Sequence, residues 1–408
     1  MESSVLSIFN TIYASQPVTR RALSDITGLS PNRVGSLVSQ LTGANLVLED
    51  APQDGTPGRP AALLSVNSRV AQVVGIDVGA RHSRAVLTDA AGRVLTSAVH
   101  VTRTVPNRET IVQDLLNLIE EVCAAHGALY RLTALGIGIQ GIVDTHTGSV
   151  LDWPSAPGWA EAWRGLHVVE LLEEKLDVRP IIVDDSVRAM GETARRFGRA
   201  AGASNFLYVF LGNGIGSAVF ADGRLYAGSH GIAGEVGHVT VDEEGPWCSC
   251  GNRGCLEVMA STAAVLRRAR ERLAEPRLMS ALRDRFVNDE LTLSTVIEAA
   301  LTGDKVAFQI LDETGTFVGK VLAIALNILG PELVVLGGPL AQAEEILLDA
   351  VERQVRLRAL PHVWKQVSII CDDQGELAGA QGAALRALDT LFSSNTYLER
   401  IVPHVVTP

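Results

Sequence analysis

The chain has 408 residues, 47% of them apolar and 20% charged. That length suits two or three domains with sizeable cores, and that composition excludes a disordered chain. Thirty-five Lys and Arg residues face 46 Asp and Glu residues, and the resulting −11 excludes a globally basic nucleic-acid coat, though not one small DNA-reading domain.

Five cysteines are too few for a disulfide-stapled secreted scaffold. The opening MESSVLSIFNTIYASQPVTRR has no basic start, apolar run or small-residue cleavage site, so no signal peptide is expected. The apolar stretch from Val321 to Leu340 is interrupted by Asn327, Gly330, Pro331 and Glu332. It reads as a buried helix, a turn and a strand instead of a membrane span. A cytoplasmic protein with no membrane partner is expected.

Residues 1–70 read as a winged helix-turn-helix. Val5, Ile8, Phe9 and Ile12 recur at helical spacing and predict a first helix to about Ala14. Thr19 is a fitting N-cap for a second helix through Ile26, and Gly28 allows a tight turn. Ser30 as N-cap and Pro31 at the first helical position start a third helix to about Thr42. Val34, Leu37, Val38 and Leu41 face inward, which turns Asn32, Arg33, Ser36 and Gln40 outward toward a major groove. Ser30 and Arg20 are added to that DNA-binding set. LVLED (46–50) and AALLSV (61–66) predict a strand pair around the loop at 51–60. Arg59 in that loop could enter a minor groove. The charge of residues 1–70 is zero, yet 18–36 and 55–69 each sum to +2. A small helical protein-binding domain is the competing reading. The near-neutral charge suggests that one copy binds DNA weakly and that a dimer is needed. A domain boundary falls near Asn67 to Ala71.

Strands alternating with helices then predict α/β layers. VVGIDVG (73–79) is an apolar strand, residues 83–102 are two strands around a turn at Ala91–Gly92, and 109–127 is an amphipathic helix. LTALGIGIQGIVD (132–144) is a buried strand with its turn, and PIIVDDS ends in the carboxylates Asp184 and Asp185. Gly136, Gly138 and Gly141 spell G-x-G-x-x-G, but no helix follows, so a dinucleotide site is not expected. Gly212, Gly214 and Gly216 between two apolar strands could bring N–H groups to a phosphate. They fit equally a tight hairpin needing positive φ.

Three thiols, Cys248, Cys250 and Cys255, fall within eight positions, with His238 ten residues upstream. Three thiolates and one imidazole complete a tetrahedral zinc shell with no open position, which predicts a structural ion. Unrelated thiols or a redox pair are the alternatives. Cys123 and Cys371 read as buried small hydrophobes.

GIAGEVGHVTV and CSCGNRGCLE resemble the two signatures of the ROK family of repressors, open reading frames and kinases. The resemblance spans roughly 71–390. It implies a two-lobed α/β actin-like ATPase (ribonuclease H-like) fold behind the winged domain. The first lobe would be 71–184 plus 379–408, and the second 185–378, with the zinc site and a dimer surface. It implies zinc at His238, Cys248, Cys250 and Cys255, and sugar hydroxyls held by Glu235, His238, Glu257 and the pair Asp184 and Asp185. Ser155, Ala156 and Trp159 lie where the family shapes its pocket. His238 would thus serve both metal and sugar through its two ring nitrogens.

Where family kinases show D-x-G-G-T-K, this chain reads Asp77-Val78-Gly79-Ala80-Arg81-His82. The second loop loses its Thr, and the usual Asn-Asp pair is Asp184-Asp185. The apparatus that would position ATP and Mg²⁺ is altered while the sugar half stands, so ATP is not expected as a cofactor. The resemblance is therefore to the regulators of the family. It implies a sugar-responsive repressor acting as a homodimer or homotetramer on operator DNA. Two half-sites about one helical turn (~34 Å) apart are expected, with residues 60–71 transmitting the signal. A sugar kinase with Asp185 as base is the alternative. A regulator answering to a protein partner or a phosphosugar shares the same features.

Overall fold

The computed structural model describes residues 4–50, 62–103, 106–127, 132–144, 147–153, 161–229, 231–372, 374–394 and 397. Arg59, the loop at 51–60, and Ser155, Ala156 and Trp159 lie outside these residues.

The N-terminal unit has helices Ser4–Ser15, Arg20–Thr27 and Pro31–Gly43. Its three strands are β1 (Val18–Thr19), β2 (Val47–Asp50) and β3 (Leu63–Val66), antiparallel in the order β1-β3-β2. The caps act as their chemistry requires. The Thr19 hydroxyl accepts from Ala22 N–H, Ser30 accepts from Arg33 N–H, and Gly28 takes the left-handed turn at φ 69°. Strand β1 was not legible in the sequence, because two residues are too short to show alternation.

The first α/β sheet contains β4 (Gln72–Val78), β5 (His82–Asp89), β6 (Val94–Val101), β7 (Leu132–Ile139) and β10 (Ile181–Asp185). Its order is β10-β7-β4-β5-β6, with β10, β7 and β4 parallel and β5 and β6 antiparallel. Between β7 and β10 lies a small ribbon of β8 (Ile142–Asp144) and β9 (Ser149–Asp152). Gly141 thus leads into a strand, and the G-x-G-x-x-G spacing opens no helix. The second sheet comprises β11 (Phe206–Leu211), β12 (Ile215–Ala221), β13 (Arg224–Tyr226), β14 (Leu333–Gly337) and β15 (Ser368–Cys371), in the order β13-β12-β11-β14-β15. The stretch from 321 onward is the end of helix Lys305–Leu329, a left-handed Gly330 and then β14. No helix among the described residues is long and apolar enough to cross a membrane.

Two helices lie between the sheets. Ala378–Ser393 lies on β4 and β7, and Ser186–Arg196 packs against it and against β12. The approach is backbone to backbone. A Cβ on Gly75 would stand 1.9 Å from the Ala380 carbonyl, one on Gly136 1.9 Å from that of Ala383, and one on Gly382 1.7 Å from that of Ala189. Glycine is required at each of these positions because even a methyl group would wedge the layers apart.

The N-terminal unit does not stand apart. Its buried residues Ile8, Phe9, Ile12 and Tyr13 form one continuous cluster with Ala384, Leu388, Leu391 and Phe392. The boundary expected near Asn67 to Ala71 is a linker in the chain but not a break in the packing.

Candidate functional site

Strand β10 ends where helix Ser186–Arg196 begins, and Asp185 sits at the junction. Its carboxylate caps that helix, accepting from Val187 N–H at 2.8 Å and Arg188 N–H at 3.1 Å. Asp185 lines a cavity between the sheets together with Arg188, Glu235, His238 and Glu257. Burial pushes the Asp185 carboxyl up to about 7, with Glu235 and Asp184 adding repulsion and Arg188 opposing it. A carboxylate in that state accepts hydroxyl protons or exchanges a proton near neutrality. Glu257 reaches the cavity from the helix Leu256–Ala260, and its Oε2 accepts from Ile215 N–H at 3.0 Å. Burial raises its pKa too. Glu235 and His238 flank a single 3₁₀ turn, so both present to the same space.

Asp184 departs from the sequence expectation. It does not line the cavity. Successive strand residues point to opposite faces, so Asp184 turns away from Asp185. Its Oδ1 accepts from Arg188 at 3.2 Å and from Asp185 N–H at 2.8 Å, and its Oδ2 accepts from Arg386 at 3.2 Å. Arg188 is the cavity residue that sequence reading missed. It is buried, bonded to Asp184 and to the Gly231 carbonyl. Its i,i+4 spacing from Asp184 on a helix start was the available signal.

Gly212 and Gly214 lie in the β11–β12 turn and Gly216 in β12 opposite Phe210, but none has positive φ. They serve close approach instead. A Cβ on Gly214 would meet the Glu257 carboxylate at 3.1 Å, and one on Gly216 would meet Val187 at 3.0 Å. The first loop has likewise changed use. Asp77 is buried and accepts from the Ser186 hydroxyl at 2.5 Å. A Cβ on Gly379 would stand 2.7 Å from the Asp77 carboxylate. Arg84 pairs with Glu376 at 2.9 Å across the same region.

His238, Cys248, Cys250 and Cys255 place one ligand atom each within 4.8 Å of one another. His238 Nδ1 lies 3.7 Å from Cys248 Sγ, and Cys250 Sγ lies 3.7 Å from Cys255 Sγ. Zinc–sulfur bonds of about 2.3 Å in a tetrahedron require edges of that order, so the donor set fits the ion. Gly254 at φ 57° closes the loop, since a Cβ there would stand 1.6 Å from the Asp242 carbonyl. Because Nδ1 faces the thiols while His238 also lines the cavity, one imidazole belongs to both features.

On the helix Pro31–Gly43, Ser30, Asn32, Arg33, Ser36 and Gln40 are all exposed, and Val34, Leu37, Val38 and Leu41 are buried. Arg20 differs from that group. Its guanidinium forms a fork with the Glu49 carboxylate at 2.7 and 3.0 Å and reaches the Gly35 carbonyl at 3.3 Å. It ties the second helix to β2 and to the third helix.

A model of the ROK family matches residues 73–390 of the chain. The xylose repressor of Bacillus spizizenii is 27% identical over 377 residues, covering 92% of each chain. The crystal structure of a ROK family transcriptional regulator, a homologue of the Escherichia coli Mlc protein, matches with a TM-score of 0.82 and 26% identity. It covers 98% of this chain and 99% of that one. A ROK family glucokinase from Streptomyces griseus, solved with glucose and AMPPNP, matches with a TM-score of 0.67 and 28% identity, over 78% of this chain and 99% of its own.

Proposed function

The chain belongs to the ROK family, and from that premise we propose that it is a sugar-responsive transcriptional repressor of carbohydrate-utilisation genes. The observation that carries this reading is the joining of two units in one chain. A winged helix-turn-helix with an exposed polar helix packs, through its first helix, on an α/β body whose cavity gathers Asp185, Glu235, His238 and Glu257. The likeness to the transcriptional regulator of the family runs over almost the whole chain, N-terminal unit included.

In this reading one lobe is 71–184 with 379–408, of which 395–396 and 398–408 lie outside the described residues, and the other is 185–378. The sugar lies between them, its hydroxyls donating to Asp185, Glu235 and Glu257 and meeting the free nitrogen of His238. Arg188 orients Asp184 away from the sugar and keeps positive charge near Asp185. A structural zinc ion on His238, Cys248, Cys250 and Cys255 supplies a fixed crosslink for the loop that leads to Glu257. The chain's own residues then hold the sugar: His238 by its second nitrogen, and Glu257 by the carboxylate oxygen not engaged by Ile215. Operator DNA is read by Asn32, Arg33, Ser36 and Gln40, with Ser30 setting the helix start. Arg59 remains part of that proposal. Two copies bring two such helices to half-sites. The exposed Ile324, Ile328, Leu329, Leu357 and Leu360 on the second lobe give a homodimer an apolar surface to cover.

The reading is a regulator and not a kinase because Asp77 is engaged by Ser186 and the first loop carries Ala80, Arg81 and His82. The test is binding of the purified full-length protein to duplex DNA enriched from a random pool, across salt, with D-glucose, D-xylose and N-acetylglucosamine added in turn. A preferred sequence whose affinity changes with one of the sugars is expected. Equal binding to all duplexes, with or without sugar, would remove the proposal.

A further inference from the structure

The helix Ser186–Arg196 starts in the cavity and ends at the N-terminal unit. Its cap is Asp185, and its last residue, Arg196, stacks over the Tyr13 ring at 4.2 Å from the ring centre. Arg196 also reaches the Tyr13 carbonyl at 3.5 Å, Asp389 at 2.6 Å and Glu192 at 3.2 Å. The neighbouring helix Ala378–Ser393 repeats that span. Arg386 holds Asp184, back to back with the cavity residue Asp185, and Phe392 meets Phe9 and Tyr13 edge-on at 5.1 and 4.8 Å. Charged groups therefore line the helix pair from one end to the other: Arg188, Asp184, Arg386, Glu192, Asp389 and Arg196.

We propose that this helix pair, with Arg386, Asp389 and Arg196 as positioning residues, transmits the state of the cavity to the DNA-reading unit through Tyr13 and Phe9. The inference rests on the reading of the cavity as the effector site. Three features favour this route over the linker. First, the two helices meet each other and the first sheet through glycine–carbonyl contacts that leave no room for sliding, so a displacement at one end moves the other. Second, Asp184 and Asp185 are adjacent, so a sugar that shifts the Asp185 backbone shifts the carboxylate that Arg386 holds. Third, the linker is pinned to both sides. Asn67 bonds the Asn45 carbonyl, Ala90 N–H donates to Ser68, and Tyr397 donates to the Val70 carbonyl. A pinned linker follows what it is attached to and does not lead. An ion chain that is buried at Arg188, Asp184 and Glu192 and half-buried at Arg386, Asp389 and Arg196 suits a two-state element, because a partner moved out of reach leaves a partly desolvated charge, and intermediate positions are costly.

The test is the coupling factor, the ratio of DNA affinities with and without the effective sugar, measured on the full-length protein for wild type, Tyr13→Leu and Arg196→Lys. Wild-type coupling in the usual range of about 5- to 150-fold is expected. Both variants should bring it below about twofold while sugar affinity and sugar-free DNA affinity each stay within about threefold. A merely structural role would change the single affinities or the stability and leave the ratio intact. Wild-type coupling retained in both variants overturns the proposal. Should either variant fold poorly, amide hydrogen exchange on the wild type decides. Sugar is expected to change protection in 4–15, 186–196 and 385–393 but not in 305–329. No change in 4–15 overturns the route. A wild type with no coupling to any of the three sugars removes the effector reading itself, which is a different failure from a coupled wild type with coupled variants.

Discussion

The two halves of the space between the lobes have followed different courses on one scaffold. On one side, Asp185, Glu235, His238 and Glu257 converge on a cavity with carboxylates held in reserve. On the other, Asp77 accepts from Ser186, Arg84 pairs with Glu376, and Gly379 presses against the Asp77 carboxylate. The same residue types are present in both halves. In the first, Asp185 and Glu257 take backbone N–H bonds on one oxygen and still line the cavity, and in the second, Asp77 and Glu376 are paired with side chains of the chain itself. A carboxylate signals function only while one of its oxygens stays unclaimed, and the geometry decides this, not the residue type.

The largest effect that would break this contrast is removal of the metal crosslink. Cys255→Ala should reduce bound zinc, measured by elemental analysis, from about one ion per chain to near zero. Structural zinc contributes on the order of 10 kcal/mol in small domains, and a large fall in thermal stability with loss of the sugar response should follow. Unchanged metal content would reject the ligand assignment.

Next is Asp185→Asn. The amide can still accept from Val187 N–H and so keeps the helix cap, but it loses charge-assisted acceptance from sugar hydroxyls. That interaction is worth about 1.5–3 kcal/mol, so the best-binding sugar should weaken by roughly 10- to 150-fold in calorimetry. The same residue sets a pH dependence. Its carboxyl sits at about 7 when the cavity is empty, raised by burial, and a donating sugar favours the ionised form. Affinity should therefore hold above pH 7 and fall below it, by at most about tenfold per pH unit. Asp185→Asn should flatten that profile. A profile equally steep in the variant would assign the titration to another group.

Asp77→Asn probes the other half. Burial raises the Asp77 carboxyl above its ordinary range. A raised folded-state value means that ionisation costs stability once pH exceeds the unfolded value. The neutral isostere should thus match or exceed wild type in stability at pH 8, with little difference at low pH. Sugar affinity should stay within about threefold. If Mg-ATP raised the melting temperature of wild type and not of Asp77→Asn, the nucleotide half would prove to be functional after all.

The sequence carried the local signals well. Thr19, Ser30 and Pro31 placed the N-terminal helices, and the spacing of Cys248, Cys250 and Cys255 found the metal cluster, because caps and loop ligands are decided within ten residues. It carried the long-range partners poorly. Arg386 and Asp184 are 202 positions apart, and Arg196 and Tyr13 are 183 apart. No local pattern announces such pairs. Asp184 is bonded to Arg188 and Arg386 and does not line the cavity, a separation that strand alternation from Asp185 makes legible in the sequence. The glycines at 212, 214 and 216 fit a phosphate turn or a positive-φ hairpin equally, whereas close contact with Phe210, Glu257 and Val187 respectively leaves little room for a side chain.

The last pair of expected effects separates two arginines that look alike in sequence, one acting on DNA binding and one only weakly on stability. Arg33 is exposed on the third helix, while the head group of Arg20 is held by Glu49 and the Gly35 carbonyl. Arg33→Ala should weaken binding to the selected duplex by about 1–3 kcal/mol without changing sugar affinity. Arg20→Ala should cost about 0–1 kcal/mol of stability, as partly exposed ion pairs do, and should change DNA affinity by less than about threefold. Should Arg20→Ala match Arg33→Ala on DNA, the Glu49 fork would have to open on the duplex. The same rule would then apply at this end of the molecule as in the cleft, since an engaged head group would act only after its internal partner let go.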